Sequence, residues 1–255
     1  MPNPLSVQLY TVRDLMAEDR DAVLRRIAEL GFDAVEPYQP TVDPVGFRKV
    51  ADDLGLRVSS AHAMGLIQDE DPGPVFEAIA TLGTDLAIVP AGIAEEEFTT
   101  LEGLARTAER LNALAGKAEA HGMRLGYHNH WWEFEPVLDG RHALEVLAGL
   151  LAPEVVLEVD TYWAAVGGAD VPTVLRGLGD RVVAIHVKDG PLVKGEPNLA
   201  VGTGRMPVAE VLAAAPQALR VVEFDACATD LYEALGSSRA FVADLEAGTE
   251  SGNRG

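Results

Sequence analysis

Eight short apolar runs alternate with helix-period segments along the whole chain, and no other feature limits the fold as much. The runs begin near Leu5, Asp33, Arg57, Asp85, Arg124, Val155, Arg181 and Leu219. Between them, residues 21–30 set Val23, Ile27 and Leu30 on one helical face and stop at Gly31, a residue suited to a helix C-cap. Residues 47–54 stop in the same way at Gly55, residues 75–82 at Gly83, and a long segment, 95–120, at His121-Gly122. Strands that alternate with helices build βαβ units and a parallel sheet. Eight units close into a (β/α)₈ barrel, the TIM-barrel architecture, which leaves no open edge. The 255 residues are close to the usual size of one such domain. An open doubly wound sheet would want a Gly-rich phosphate turn after an early strand, and the segments after Tyr10 and Glu36 have none. The expected organisation is one barrel over residues 1–247 and a polar, Gly-rich tail, 248–255, that frays. The longest irregular piece is 189–207, and a βα loop of that length is usually functional.

The charge pattern narrows the partners. Forty acidic against 20 basic side chains give a formal charge of −20, which repels nucleic acid and anionic membranes. No apolar stretch reaches the roughly 20 residues of a membrane span. No basic segment followed by an apolar one marks a signal peptide. A single cysteine, Cys227, excludes an internal disulfide and fits a reducing compartment, so a cytoplasmic location is expected.

Four late runs end on polar groups: Tyr127-His128-Asn129-His130, Glu158-Val159-Asp160, Ile185-His186 and Val222-Glu223. A buried polar group without a partner costs several kcal/mol, so four such ends imply a shared partner, most simply one divalent metal ion. The carboxyl ends of barrel strands are where chemistry sits. Period-2 alternation puts His128 and His130 on one face, and Glu158 and Asp160 on another. The last residue of a strand reaches the mouth, which favours Asp160 over Glu158. Mixed imidazole and carboxylate donors suit manganese, cobalt, iron or zinc. Two nitrogens disfavour magnesium and calcium, and the lack of a thiolate argues against a structural zinc site. Glu36 and His62 close the second and third strands and are expected to shape a substrate pocket, with Trp163 at its rim. Lys188 shares the face of His186 and could hold a substrate oxygen. Arg13 and Arg205 are the expected contacts for an anionic substrate.

These segments resemble the sugar phosphate isomerase/epimerase superfamily, the xylose isomerase-like or AP-endonuclease-2-like TIM barrels. The carrying residues are Tyr127-His128-Asn129-His130, Asp160-Thr161-Tyr162-Trp163, His186-Val187-Lys188-Asp189-Gly190 and Val222-Glu223-Phe224-Asp225, and the opening Val7-Gln8-Leu9-Tyr10-Thr11-Val12-Arg13-Asp14 is similar to members near the inosose dehydratase branch. The resemblance implies one divalent ion, manganese foremost, held by His128, Asp160, His186 and Glu223. Family epimerases carry Glu where His128 stands. Of their two proton-exchanging glutamates this chain keeps Glu223, with His130 or Glu133 as the second acid/base.

A metal on a ketone or hydroxyl oxygen stabilises an enediolate when the neighbouring C–H is deprotonated. Proton return to the other face gives epimerisation, return to the adjacent carbon gives isomerisation, and loss of a β-hydroxyl gives dehydration. The expected function is therefore a metal-dependent isomerase or epimerase of a small carbohydrate or polyol. The alternatives are a lyase acting on a keto-inositol or 3-keto-glycoside, a non-catalytic sugar-binding barrel, and an AP-endonuclease-type nuclease, which the acidic charge disfavours. Assembly with further copies of the chain is left open by the sequence.

Overall fold

A computed structural model describes residues 4–252. The barrel strands are β1 Leu5–Gln8, β2 Ala34–Glu36, β3 in two pieces (Arg57–Val58 and Ala61–His62), β4 Leu86–Val89, β5 Arg124–His128, β6 Val156–Asp160, β7 Val182–Val187 and β8 Leu219–Val222. All pair in parallel, and β1 lies between β2 and β8. The first piece of β3 pairs with β2 and the second with β4, so one interrupted strand closes the ring. All eight lie where the apolar runs place them.

The strand interiors are Val, Leu, Ile and Ala at or near zero exposure, and they merge with the helices' inner faces into one core. The helices α1 Arg13–Glu29, α2 Pro44–Leu54, α3 Gly65–Gln68, α4 Gly73–Leu82, α5 Leu101–Ala120, α6 Ala143–Leu150, α7 Thr161–Val166, α8 Val171–Leu178, α9 Val208–Ala214 and α10 Leu231–Gly252 follow in order. Two begin differently from the periodicity. The segment from 95 starts as a 3₁₀ turn, Glu95–Thr99, and α5 begins only after Thr100, whose extended backbone lets its side chain accept the Gly103 N–H. α1 starts eight residues before the expected Asp21, and Asp19 breaks it with non-helical dihedrals. The Asp19 carboxylate then accepts the Ala22 N–H and restarts the helix. α10 runs past Gly248 to Gly252, into the segment expected to fray; residues 253–255 lie outside those described.

The long loop after β7 is ordered by one side chain. Asp189 is buried, and its carboxylate accepts the N–H groups of Gly190, Gly202, Gly204 and Met206 at 2.8–3.0 Å. A Cβ on Gly204 would lie 2.1 Å from that carboxylate, so only glycine fits there. Leu192, in the same loop, holds a positive φ of 59°, uncommon for a branched side chain, and its N–H donates to the Tyr162 hydroxyl at 3.1 Å. Among the described residues no helix is long and apolar enough to cross a membrane.

Candidate metal centre

Strand register decides which polar groups meet. His186 on β7 lies level with Asp160 on β6, whereas His128 on β5 lies level with Glu158. Tilted strands are staggered around a barrel, so equal positions at strand ends do not share one height. Donor atoms of Asp160, His186 and Glu223 fall within 4.8 Å of one another. His128 Nε2 stands 3.9 Å from Asp160 Oδ2, while its Nδ1 points down to Glu158 at 3.1 Å. A second cluster, beneath the first, combines His62, His128, Glu158 and His186. Asp160, the residue the sequence favours, stands in the upper cluster, and Glu158, which the sequence ranks below it, is at the centre of the lower one.

Local structure aims each group. Asp160 ends β6 and caps α7, its Oδ1 accepting the Trp163 N–H at 2.8 Å, which turns Oδ2 to the site. Asn129 ties the ends of β5 and β6 together, accepting the Asp160 N–H and donating to the Asp160 carbonyl. The Lys188 ammonium lies 2.8 Å from Asp160 Oδ2, 2.7 Å from Glu223 Oε2 and 2.9 Å from Asp225 Oδ2.

Burial opposes every charge here, and the pairings decide the outcome. Burial disfavours ionised Glu223, but Lys188 and His186 outweigh it and hold the carboxyl well below its ordinary range. Burial likewise opposes protonated His186, yet Glu158 and Glu223 raise it well above the usual imidazole value. Asp160 goes the other way: burial lifts it to about 6 against the pull of Lys188 and His186. Burial, reinforced by the neighbouring charge on His186, keeps His128 neutral, the form in which one nitrogen is free to coordinate.

A cavity of about 360 Å³ opens over these groups, walled by Tyr10, Tyr38, Met64 and Trp163 on its apolar side and by His128, His130, Lys188, Glu223 and Asp225 on its polar side. His62 also reaches it. His130 stacks on Trp132 with ring centroids 4.1 Å apart, and its buried Nδ1 has no hydrogen-bond partner. Burial, with Lys188 nearby, lowers His130 to about 3.

Three expected roles are not supported by position. Glu133 does not reach the cavity; it is buried under the loop after β5, accepting from the Tyr127 hydroxyl at 2.6 Å and the His130 N–H at 2.8 Å. Glu36 is fully buried below the cavity rather than facing it. Arg205 is exposed on the loop after β7, its N–H spent on the Gly190 carbonyl, because the turns that Asp189 fixes point it outward. Arg13 sits at the rim with its guanidinium donating to the Tyr10 and Asp225 carbonyls and lying 4.3 Å over the Tyr10 ring. Asp225, unassigned by sequence, shares the face of Glu223 two residues on, the same alternation that found Lys188.

The fold and site define a class: a (β/α)₈ barrel whose mouth gathers carboxylates and imidazoles over a small cavity. The chain belongs to the xylose isomerase-like TIM barrel family, whose profile matches residues 24–218. A sugar phosphate isomerase/epimerase from Parabacteroides distasonis superposes with a TM-score of 0.76 at 19% identity, over 95% of this chain and 96% of that one. A probable 3-DHS dehydratase from Bacillus anthracis gives 0.74 at 12% identity, over 95% and 99%. A D-psicose 3-epimerase from Clostridium cellulolyticum gives 0.68 at 14% identity, over 95% and 99%. At these identities the likeness is one of fold. No curated protein sequence matches the chain.

Proposed function

We propose that this barrel is a metal-dependent isomerase or epimerase of a small carbohydrate or polyol, acting in the cytoplasm. The observation that carries the reading is Glu223, a carboxylate held ionised at the cavity wall with the Asp160 and His186 donors beside it. The donor set fits a divalent ion: two carboxylate oxygens and an imidazole nitrogen stand within 4.8 Å of one another, and His128 Nε2 is 3.9 Å from Asp160 Oδ2. His128, Asp160, His186 and Glu223 would hold it, manganese being the first choice. When bound, such an ion polarises a carbonyl oxygen and lowers the cost of negative charge developing there.

The chain's own groups do the rest. Glu223 Oε takes a proton from the carbon next to the carbonyl. The Lys188 ammonium, among the same carboxylates, holds a substrate oxygen and fixes which carbon faces Glu223. Trp163, Tyr10 and Tyr38 pack against the C–H face of the substrate and keep water out. His130, neutral at the cavity wall, hydrogen-bonds the substrate on the side away from Glu223.

A second reading, dehydration by elimination, is favoured by His128. It stands where a second carboxylate would sit in two-base epimerisation, which leaves one carboxylate base. The test is incubation of manganese-loaded protein with a panel of keto-sugars and keto-polyols in D₂O, with deuterium read by NMR. Exchange at a carbon adjacent to the carbonyl is expected, with isomer or dehydrated product identifying the branch. No exchange with any panel member, in protein shown to hold metal, would sink the proposal.

A further inference from the structure

The interior layers of a (β/α)₈ barrel are normally filled by branched apolar side chains. Directly below the cavity this barrel instead encloses Glu36, Glu158, His62 and the inner edges of His128 and His186, and both carboxylates have zero exposure. Glu36 is gripped from three sides: Gln8 Nε2 donates to its Oε1 at 2.7 Å, the Ser60 hydroxyl donates to Oε2, and His186 Nε2 lies 2.8 Å from Oε1. Glu158 Oε2 receives His62 Nε2 at 2.5 Å and His128 Nδ1 at 3.1 Å, with His186 Nε2 at 3.2 Å. His62 also comes within 3.3 Å of Glu36 and so stands between the two carboxylates. So dense a buried polar layer is costly unless its members are satisfied, and neither of its carboxylates lines the cavity.

We propose that Glu158 and Glu36 are positioning residues that decide which ring nitrogen His128 and His186 offer to the centre above. A neutral imidazole has one N–H and one lone pair, and the partner of the N–H fixes the tautomer. Glu158 takes the Nδ1–H of His128 and leaves Nε2 facing Asp160. Glu36 holds the Nε2–H of His186, whose Nδ1 faces Glu223 and is the nitrogen turned to the centre. One layer thus orients both imidazoles oppositely, as two donors approached from different strands require. His62 stands between the carboxylates, and His186 Nε2 lies nearer Glu36, at 2.8 Å, than Glu158, at 3.2 Å. The inference rests on the metal reading of the site, but the His128 tautomer itself belongs to the metal-free protein.

The test uses ¹⁵N-histidine NMR on metal-free protein and Mn²⁺ affinity by calorimetry, on wild type, Glu158→Gln and Glu36→Gln. Expected are an Nδ1–H tautomer for His128 in the wild type, loss of that preference in Glu158→Gln but not in Glu36→Gln, and a fall of roughly 10- to 100-fold in Mn²⁺ affinity in both variants. Cooperative melting of either variant shows that the fold persists, so one surviving variant suffices. An Nε2–H tautomer for His128 in the wild type, or undiminished Mn²⁺ affinity in both variants, overturns the proposal. The Nδ1–H tautomer with no Mn²⁺ binding in the wild type would support the positioning role and remove the metal reading instead.

Discussion

Lys188→Met is the most informative single change. Lys188 is buried, and its ammonium touches Asp160, Glu223 and Asp225 at 2.7–2.9 Å. Methionine keeps the bulk of the stem and removes the charge. It leaves Asp160 and Glu223 buried and facing one another, with donor oxygens within 4.8 Å. At an effective dielectric near 20 their repulsion is about 3 kcal/mol. Removing one partner of a buried ion pair typically costs about 3–5 kcal/mol, in agreement. For a domain of this size that is a loss of roughly 6–20 °C in melting temperature. A divalent ion on the same carboxylates should restore much of it, since a ligand at a hundredfold excess over its Kd contributes about 2.7 kcal/mol. The assay is thermal unfolding of wild type and variant, each in EDTA and in Mn²⁺. The variant should melt well below wild type in EDTA and gain more from Mn²⁺ than wild type does. A variant that melts within a degree or two of wild type in EDTA, or an equal Mn²⁺ gain in both proteins, would refute the view that Lys188 and the ion answer the same negative charge.

Glu223→Gln should keep the fold and lose turnover by about 10² or more, the range for a positioned acid/base group; unchanged exchange rates in D₂O with metal content unaltered would remove its role as base. Metal binding at His186 Nδ1 must displace a proton that Glu158 and Glu223 stabilise, so Mn²⁺ affinity should fall as pH is lowered through neutrality, and calorimetry in buffers of different ionisation enthalpy should show proton release. The same raised value works on the metal-free fold: the stability from protonated His186 is present below the ordinary imidazole pKa and is lost as pH rises through the raised one, which urea titrations across that range would detect. Asp189→Asn sets an amide N–H₂ against two of the four N–H donors that the carboxylate now accepts, and about 3 kcal/mol of stability should go with it, read as faster hydrogen exchange at 190–206. His130→Ala should leave Mn²⁺ affinity unchanged and weaken substrate binding; loss of metal instead would show that His130, not His128, is the fifth-strand ligand.

The barrel was legible because the strands are short, largely apolar runs and several intervening helices carry a 3.6-residue stripe that stops at a glycine, as at Gly31, Gly55, Gly83 and Gly122. His186, Glu223 and Asp160 were legible because they end their strands. Glu158 was not. Its alternation with Asp160 is plain in the sequence, but the stagger that brings it level with His128 is set by strand tilt around the closed ring, a property of the whole sheet. Glu36 reads as a strand-end acid, like Glu223, and nothing local tells that its partners Gln8, Ser60 and His186 come from β1, the break in β3 and β7. Glu133 lies away from the cavity for a similar reason: the hydroxyl that donates to it belongs to Tyr127, six residues back. The helix starts at Thr100 and Asp19 were hidden because side-chain caps cut across an otherwise continuous helical pattern.

The Asp189 pin has an evolutionary consequence. One carboxylate gathers both ends of the loop, and the Asn198 N–H and side chain tie its return path to Ala226, Asp189 and Asp225. The stretch between, residues 191–197, is fastened at its base, and above it the Leu192 N–H donates to the Tyr162 hydroxyl and Lys194 lies 3.9 Å over the Trp131 ring. Lengthening such a stretch costs little, about 0.6 kcal/mol for each doubling. It is therefore a cassette: its length and side chains can drift while the strand ends that carry His186 and Glu223 keep their places. A lineage of this barrel can therefore insert or delete residues there without disturbing the strand ends, and an engineer who wants to graft a peptide onto this face should begin there.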